Sequence, residues 1–128
     1  MTGYNSKAQD LSKHQWKHRI VLLISNENSN PDLQKQLNAF KNQHDELEER
    51  KLIVYRVTPH SYKTLNDEEW KKSSSLYDTY KNNDEAFKLV LIGLDGSTKT
   101  QKNHFLSCED LFAIIDAMPM RQREIRKQ

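Results

Sequence analysis

The sequence predicts a single α/β domain whose elements follow the order β-α-β-α-β-β-α. Three blocks of aliphatic and β-branched residues have the composition of strands buried in a sheet. Apolar residues at helical spacing lie between the first two blocks and again after the last block. An Asp-Gly dipeptide behind the third block favours a tight hairpin turn. The 128 residues are enough for one such core.

The first half of the chain contains a strand-helix-strand unit. Its strands are predicted over residues 19–25 and 52–58, and a right-handed crossover makes them parallel. Asn30 can cap the helix between them, and Pro31 suits its first turn. The apolar stripe of this helix consists of Leu33, Leu37, Phe40 and Leu47.

The second half is predicted as a helix, a hairpin and a closing helix. The helix spans residues 65–80, with Trp70, Leu76, Tyr77 and Tyr80 on one face. The hairpin joins strands over residues 87–93 and 98–102 through Asp95-Gly96. Ser107 caps the last helix, which Pro119 ends or kinks. Its apolar face consists of Leu111, Phe112, Ile114, Ile115 and Met118.

This order is that of a thioredoxin-like domain, with a mixed four-stranded sheet flanked by helices. We expect the domain over residues 16–125, a flexible polar segment over 1–15 and a short tail over 126–128. No apolar block approaches the roughly 20 residues that a membrane helix needs, and no signal peptide pattern opens the chain. Twenty basic and eighteen acidic residues give a net charge of +2, which indicates neither a nucleic-acid partner nor a membrane surface. The composition predicts a soluble chain.

Thioredoxin-type redox chemistry is excluded by the cysteine content. That chemistry requires a Cys-x-x-Cys where the first helix begins, and residues 26–30 contain no cysteine there. Residues 84–87 also lack the proline that usually precedes the third strand. Cys108, the only cysteine, lies in the first turn of the last helix, where the helix dipole can lower a thiol pKa. A packing role is the preferred interpretation, and a thiol sensor is the alternative.

The sequence predicts no cofactor and no metal site. The five histidines are scattered, and none is expected to form the i, i+4 pair with an acidic residue that a helical zinc site uses. No glycine-rich phosphate loop is present. The histidines are His14, His18, His44, His60 and His104.

Residues 116–127 are the least generic stretch of the chain, and two interpretations remain open. In the binding interpretation, Met118 and Met120 are adaptable contacts, while Arg121 and Arg123 grip a carboxylate or phosphate. In the structural interpretation, which we favour, Met118 is buried against the core before Pro119 turns the chain. Arg121 is then paired internally, and the candidate partners are Asp116, Asp95 and Glu49.

The chain resembles the P-DUDES family, a thioredoxin-like domain of unknown function. The family occurs in exported bacterial proteins and in vertebrate sushi-repeat-containing proteins and Equarin. The most specific match is the run from Ile115 to Arg121 with Arg123-Glu124, and Lys51 and Leu94 depart from the family pattern. The other matching residues are Trp16, Arg19, Gln36, Glu49, Arg50, Phe87, Leu91, Ile92, Gly93, Asp95, Gly96 and Lys99. The resemblance implies a thioredoxin-like fold, an extracytoplasmic location and, for the vertebrate members of the family, roles in adhesion or matrix binding.

These observations favour a non-catalytic binding domain whose partner is a protein or an extracellular matrix component. The alternative is an atypical peroxiredoxin-related enzyme with a charged site. If that site exists, its side chains should converge on an open pocket; otherwise they should pair with one another. The candidate site residues are Arg50, Asp95, Lys99, Asp116 and Arg121, with Arg123 beside them and Met118, Pro119 and Met120 as the core of the motif.

Overall fold

The structure, a computed structural model, describes residues 11–81 and 85–127. Its strands are β1 (Arg19–Ser25), β2 (Leu52–Val57), β3 (Ser61–Thr64), β4 (Lys71–Lys72), β5 (Phe87–Ile92) and β6 (Thr98–Lys102). The helices of the described residues are α1 (Pro31–Phe40), α2 (His44–Glu49), α3 (Ser75–Tyr80), α4 (Cys108–Asp116) and α5 (Pro119–Arg126). The strands form one mixed sheet in the order β4-β3-β2-β1-β5-β6.

The four central strands follow the predicted pairing. β1 and β2 are parallel, with Arg19 opposite Leu52 at one end and Ile24 opposite Val57 at the other. β5 is antiparallel to β1, and β6 is antiparallel to β5 across the predicted hairpin. The sheet nevertheless has six strands where the sequence predicts four, because β3 and β4 extend it beyond β2.

The predicted helix over residues 65–80 is wrong for most of its length. Only Ser75–Tyr80 is helical in this stretch, and the chain before it forms β3 and β4. A tight turn at Thr58 causes the difference: its Oγ1 accepts a hydrogen bond from the Ser61 N–H, and its own N–H donates to the Ser61 carbonyl. The turn returns the chain onto the outer edge of β2, where β3 satisfies backbone groups that would otherwise be unpaired.

The helix predicted to carry Leu33 through Leu47 is divided in two. α1 ends at Phe40, Asn42 adopts a left-handed conformation with φ of 65°, and α2 begins at His44. Asparagine tolerates this conformation better than most residues, so the break occurs there. Leu47 still packs against the core from α2.

The predicted helix boundaries at Asn30, Ser107 and Pro119 are confirmed. The Asn30 side chain accepts a hydrogen bond from the Leu33 N–H at 3.0 Å, and the Ser107 hydroxyl accepts one from the Asp110 N–H at 3.1 Å. α4 ends at Asp116, and Pro119 begins α5. These caps satisfy backbone donors that a helix start leaves without a partner.

Apolar side chains cover both faces of the sheet. On one face, β1 and β5 pack against α1 and α4. On the other face, the same strands pack against Leu76 of α3 and against Leu11. All the residues of β1 and β5 are buried, which explains why they are apolar apart from Arg19, Ser25 and Lys88.

The two ends of the chain lie partly outside the described residues. Residues 1–10 of the predicted flexible segment and Gln128 of the predicted tail are among those not described. From residue 11 onward, Leu11 and His14 pack against the sheet. Within the described ranges, no helix has both the length and the apolar character needed to cross a membrane.

Candidate functional site

Arg121 lies at the centre of a cluster of ion pairs, which we call the charged cluster. Its side chain is only 2% exposed, so its guanidinium depends on protein acceptors. Nε donates to Asp116 Oδ1 and Nη2 donates to Glu49 Oε2, each at 2.9 Å. Pro119 positions these groups, because it starts a new helix between Asp116 and Arg121. Of the partners considered from the sequence, Asp116 and Glu49 contact Arg121.

Arg50 binds the same carboxylate as Arg121. Its Nε and Nη2 donate to the two oxygens of Asp116 at 3.1 and 2.9 Å, and its Nη1 donates to Glu46 at 2.9 Å. Burial raises the pKa of Asp116, but hydrogen bonds from Arg50 and Arg121 outweigh it, so the pKa lies below its usual value. Asp116 is therefore an ionised acceptor shared by two guanidinium groups.

Arg19 completes the charged cluster, although its place at the site was not predicted from the sequence. It is 1% exposed, and its Nη1 and Nη2 donate to the Glu124 carboxylate at 3.2 Å each. Nη1 also donates to the Arg50 carbonyl at 2.9 Å. An arginine at the start of a strand that is buried on both faces needs acidic or carbonyl partners. The position of Arg19 directly before the apolar run is therefore the sequence signal that could have identified it.

Asp95 and Lys99 form a separate pair in the β5–β6 turn. Lys99 Nζ lies 3.1 Å from Asp95 Oδ2, and Ser97 donates both its N–H and its hydroxyl to the other carboxylate oxygen. The backbone hydrogen bond from Ser97, followed by its hydroxyl and Lys99, lowers the pKa of Asp95 to about 2. The five residues proposed for an enzyme site therefore divide into two internally paired groups, Arg50–Asp116–Arg121 and Asp95–Lys99.

The rest of the Met-Pro-Met-Arg region is less buried than predicted. Met118 was predicted to be buried but is half-buried, because it lies at the N-cap position of α5 at the edge of the core. Met120 is also half-buried, and both Pro119 and Arg123 are exposed. The motif therefore contributes Arg121, and only in part its methionines, to the interior.

Cys108 does not have the lowered pKa that its place in α4 suggested. The thiol is half-buried and its Sγ donates to the Ala39 carbonyl at 3.3 Å. Burial raises the pKa of the thiol, so burial outweighs the helix dipole. The other half of a thioredoxin redox site is the proline before the third strand, which residues 84–87 lack. Of these residues, Asp84 lies outside the described residues.

Two histidines, His14 and His44, have side-chain partners that were not predicted from the sequence. His14 Nδ1 lies 3.0 Å from His18 Nδ1, and His14 Nε2 lies 2.7 Å from the Tyr55 hydroxyl, beneath the sheet. Burial, followed by the charges of His18 and Lys13, lowers the pKa of His14 to about 4. On α2, His44 Nε2 lies 3.7 Å from Glu48 Oε2, so the expectation that no histidine has an acidic i+4 partner is wrong.

The surface around His44 is where a metal ion could be held. Ligand atoms of His44, Asp45 and Glu48 all lie within 4.8 Å of one another, and all three residues are exposed. Exposed side chains on one short helix are free to take other conformations, so the geometry by itself does not fix an ion.

A cavity of about 490 Å³ opens between α2 and the start of β2, and we call it the edge cavity. Its apolar lining comes from Phe40, Leu47, Leu52, Ile53, Val54 and Leu65. Its polar lining comes from Lys17, His18, Asn42, His44, Glu48, Lys51, Thr64 and Asn66. Sequence reasoning missed this cavity, because its lining comes from four separate parts of the chain.

The edge cavity exists because β3 covers only part of β2. β3 pairs with residues 55–57, and one further bond joins the Leu65 N–H to the Val54 carbonyl at 3.1 Å. Among residues 11–81 and 85–127, no strand pairs with the outer side of Leu52 and Ile53. The Lys51 carbonyl accepts a hydrogen bond from the Arg19 N–H and so points toward β1. Backbone groups of successive residues in a strand point to opposite edges, so the N–H and C=O of Leu52 point away from β1, toward the cavity.

Comparison with known families gives one result. Residues 10–124 match the family model described as Domain of unknown function (DUF4174). The match includes the charged cluster and the edge cavity. None of the curated proteins is similar enough to the chain to count as a match.

Proposed function

The chain belongs to the DUF4174 family, a domain of unknown function, and we propose that it is a non-catalytic binding domain whose binding site is the edge cavity. The proposal assigns the charged cluster a structural role. It also describes the domain as a thioredoxin-like scaffold that lacks the redox site of thioredoxins.

The arrangement of the central strands supports the scaffold assignment. β2, β1, β5 and β6 are adjacent in that order, β1 and β2 are parallel, and β5 and β6 are antiparallel to their neighbours. α1 connects the parallel pair, and α4 follows the hairpin. With Cys108 as its only cysteine, the chain cannot form the intramolecular disulfide on which thioredoxin chemistry depends.

The edge cavity is the observation that carries the binding function. Ligand sites in proteins commonly have volumes of about 300 to 1,000 Å³, an apolar lining and a few polar groups that orient the ligand. The edge cavity has about 490 Å³, with most of its apolar residues on α1, α2 and β2 and its polar residues on α2, β3 and the neighbouring loops. Its polar groups are positioned to fix a ligand whose body contacts Phe40 and Leu47.

The charged cluster supports binding less well. Arg121 donates to Asp116, Glu49 and Glu124, and Arg50 donates to Asp116 and Glu46. An incoming anion would have to replace carboxylates that already neutralise these guanidiniums, at the cost of leaving buried charges unpaired. The same argument disfavours a peroxiredoxin-related site built from these residues.

The P-DUDES resemblance extends the proposal to location and partner. The residues that carry it, above all the run from Ile115 to Arg121, fall within the DUF4174 match. On this basis we propose that the domain acts outside the cytoplasm and binds a protein or a matrix component.

Nuclear magnetic resonance of the ¹⁵N-labelled domain tests the binding function. Small probes with an apolar body, indole and hexanoate, should shift the amide signals of residues 47–54 and 64–66. Asn66→Trp should weaken this response, because it places an indole at the cavity mouth, while Asn38→Trp on the exposed side of α1 should leave it unchanged. Unchanged spectra with both probes would contradict a binding site at the cavity.

An insulin-reduction assay with dithiothreitol tests the non-catalytic part. The rate with the domain should equal the rate without it, since no cysteine pair is present. Turnover above that background would overturn the proposal.

A further inference from the structure

We propose that the natural occupant of the edge cavity is an extended, acidic and apolar peptide segment of a partner protein, which pairs as an added strand with the open backbone of Leu52 at the edge of β2. This inference rests on the proposed function, since it requires the cavity to be a binding site. It goes further by naming the chemistry of the occupant and the way it is held.

The open part of β2 is the first reason. β3 leaves β2 after Tyr55, apart from the bond between Leu65 and Val54, and no strand of the described residues replaces it beside Leu52. Leu52 therefore directs its N–H and C=O into the edge cavity rather than to a neighbouring strand. A peptide in extended conformation can present one C=O and one N–H to the N–H and C=O of Leu52, which is the pairing used in recognition by strand addition.

The position of the apolar lining is the second reason. Side chains of an added strand alternate between the two faces of the sheet. On the face covered by α1 and α2, such a side chain would enter the space between Phe40, Leu47 and Leu65. A small apolar molecule could fill that space, but it would leave the backbone of Leu52 without a partner.

Charge is the third reason, and it decides the composition of the peptide. Lys17 and Lys51 line the cavity. Glu48 is the one acidic residue among the described residues that line it, and its Oε2 lies 3.7 Å from His44 Nε2. Both lysines are exposed, and the acidic partner of Lys51 within residues 11–81 and 85–127 is Glu124, at a distance of 3.9 Å. Acidic residues beside the apolar side chain are therefore attracted to the rim, whereas basic residues are repelled.

The experiment compares three synthetic peptides on the full chain. The first is acetyl-Glu-Leu-Glu-Leu-Glu-Leu-amide, the second has the same sequence with alternate backbone nitrogens methylated, and the third has lysine in place of glutamate. Binding is measured by titration with amide NMR. The first peptide should bind and should slow hydrogen exchange at the Leu52 amide. Methylation should weaken binding at least about tenfold, because it removes the donors and blocks the approach of the strand.

Variants of the protein test the charge. Lys17→Glu should weaken binding of the first peptide by about fivefold at low salt, and the loss should shrink as salt is added. Lys35→Glu is the matched control, since Lys35 is exposed on α1 and does not line the cavity. Equal effects of the two substitutions would contradict recognition by the rim.

The outcomes separate this inference from the proposed function. Binding of hexanoate or indole without binding of any peptide would overturn the inference and leave the binding site in place. Equal binding of the methylated and unmethylated peptides would overturn strand addition. Failure of the small probes and the peptides alike would overturn both proposals.

Discussion

Replacing Asp116 by alanine should destabilise the domain strongly if the charged cluster is structural. Asp116 accepts three hydrogen bonds from two guanidiniums, two from Arg50 and one from Arg121, whose side chains are 11% and 2% exposed. Removing one partner of a buried ion pair typically costs about 3 to 5 kcal/mol. Both arginines keep other acceptors, so we expect the lower end, about 3 kcal/mol.

Urea denaturation followed by circular dichroism measures this loss. A change of about 3 kcal/mol corresponds to a fall in melting temperature of about 10 °C for a domain of this size. Asp95→Ala is the control, because Asp95 is an ion-paired carboxylate of the exposed β5–β6 turn and should cost at most about 1 kcal/mol. Equal losses for the two variants, or an unchanged midpoint for Asp116→Ala, would refute the structural role of the cluster.

Three further predictions concern buried polar groups. The pKa of His14 is lowered from 6.5 to about 4. Between these two pH values His14 is protonated in the unfolded chain and neutral in the folded chain. The free energy of unfolding should therefore fall by about 3 kcal/mol as the pH drops from 6.5 to about 4. Urea midpoints should show this fall in the wild type and a flatter profile in His14→Phe; identical profiles would contradict the assignment. Because burial raises the pKa of Cys108, iodoacetamide should react with the Cys108 thiol more slowly than it reacts with the thiol of free glutathione at pH 8. A faster reaction of Cys108 would show an activated thiol and contradict this prediction. Gln36 is fully buried, donates to the Leu106 carbonyl at 2.7 Å and accepts from the Leu106 N–H at 2.9 Å. Gln36→Leu should therefore cost about 2 to 4 kcal/mol in thermal or urea unfolding, and a loss below about 1 kcal/mol would contradict this role.

The sequence predicts the central strands well, because strands that are buried on both faces of a sheet consist mainly of apolar residues. β1 and β5 are apolar apart from Arg19, Ser25 and Lys88, and β6 follows an Asp-Gly turn. β3 and β4 have four and two residues, none of them fully buried, so their composition does not mark them as strands. β3 forms because it pairs with the open edge of β2, and β4 forms because it pairs with β3. Short polar strands of this kind depend on tertiary pairing more than on local pattern.

The candidate site divides in the same way. The pair between Asp116 and Arg121 spans five residues and could be anticipated from the Pro119 turn. The pair between Arg19 and Glu124 spans 105 residues, and no local pattern relates them. The edge cavity depends on where β3 separates from β2. That position is a property of the folded sheet and cannot be predicted from the composition of either strand.

The central claim is that the edge cavity, and not the charged cluster, is the binding site of this domain. The most direct measurement is a map of NMR shifts on adding acetyl-Glu-Leu-Glu-Leu-Glu-Leu-amide, recorded for backbone amides and for arginine Nε–H groups together. The account predicts shifts at the amides of residues 47–54 and 64–66, with the Nε–H signals of Arg50 and Arg121 unmoved. Shifts concentrated at those two guanidiniums and along α5, with the cavity amides unchanged, would contradict it.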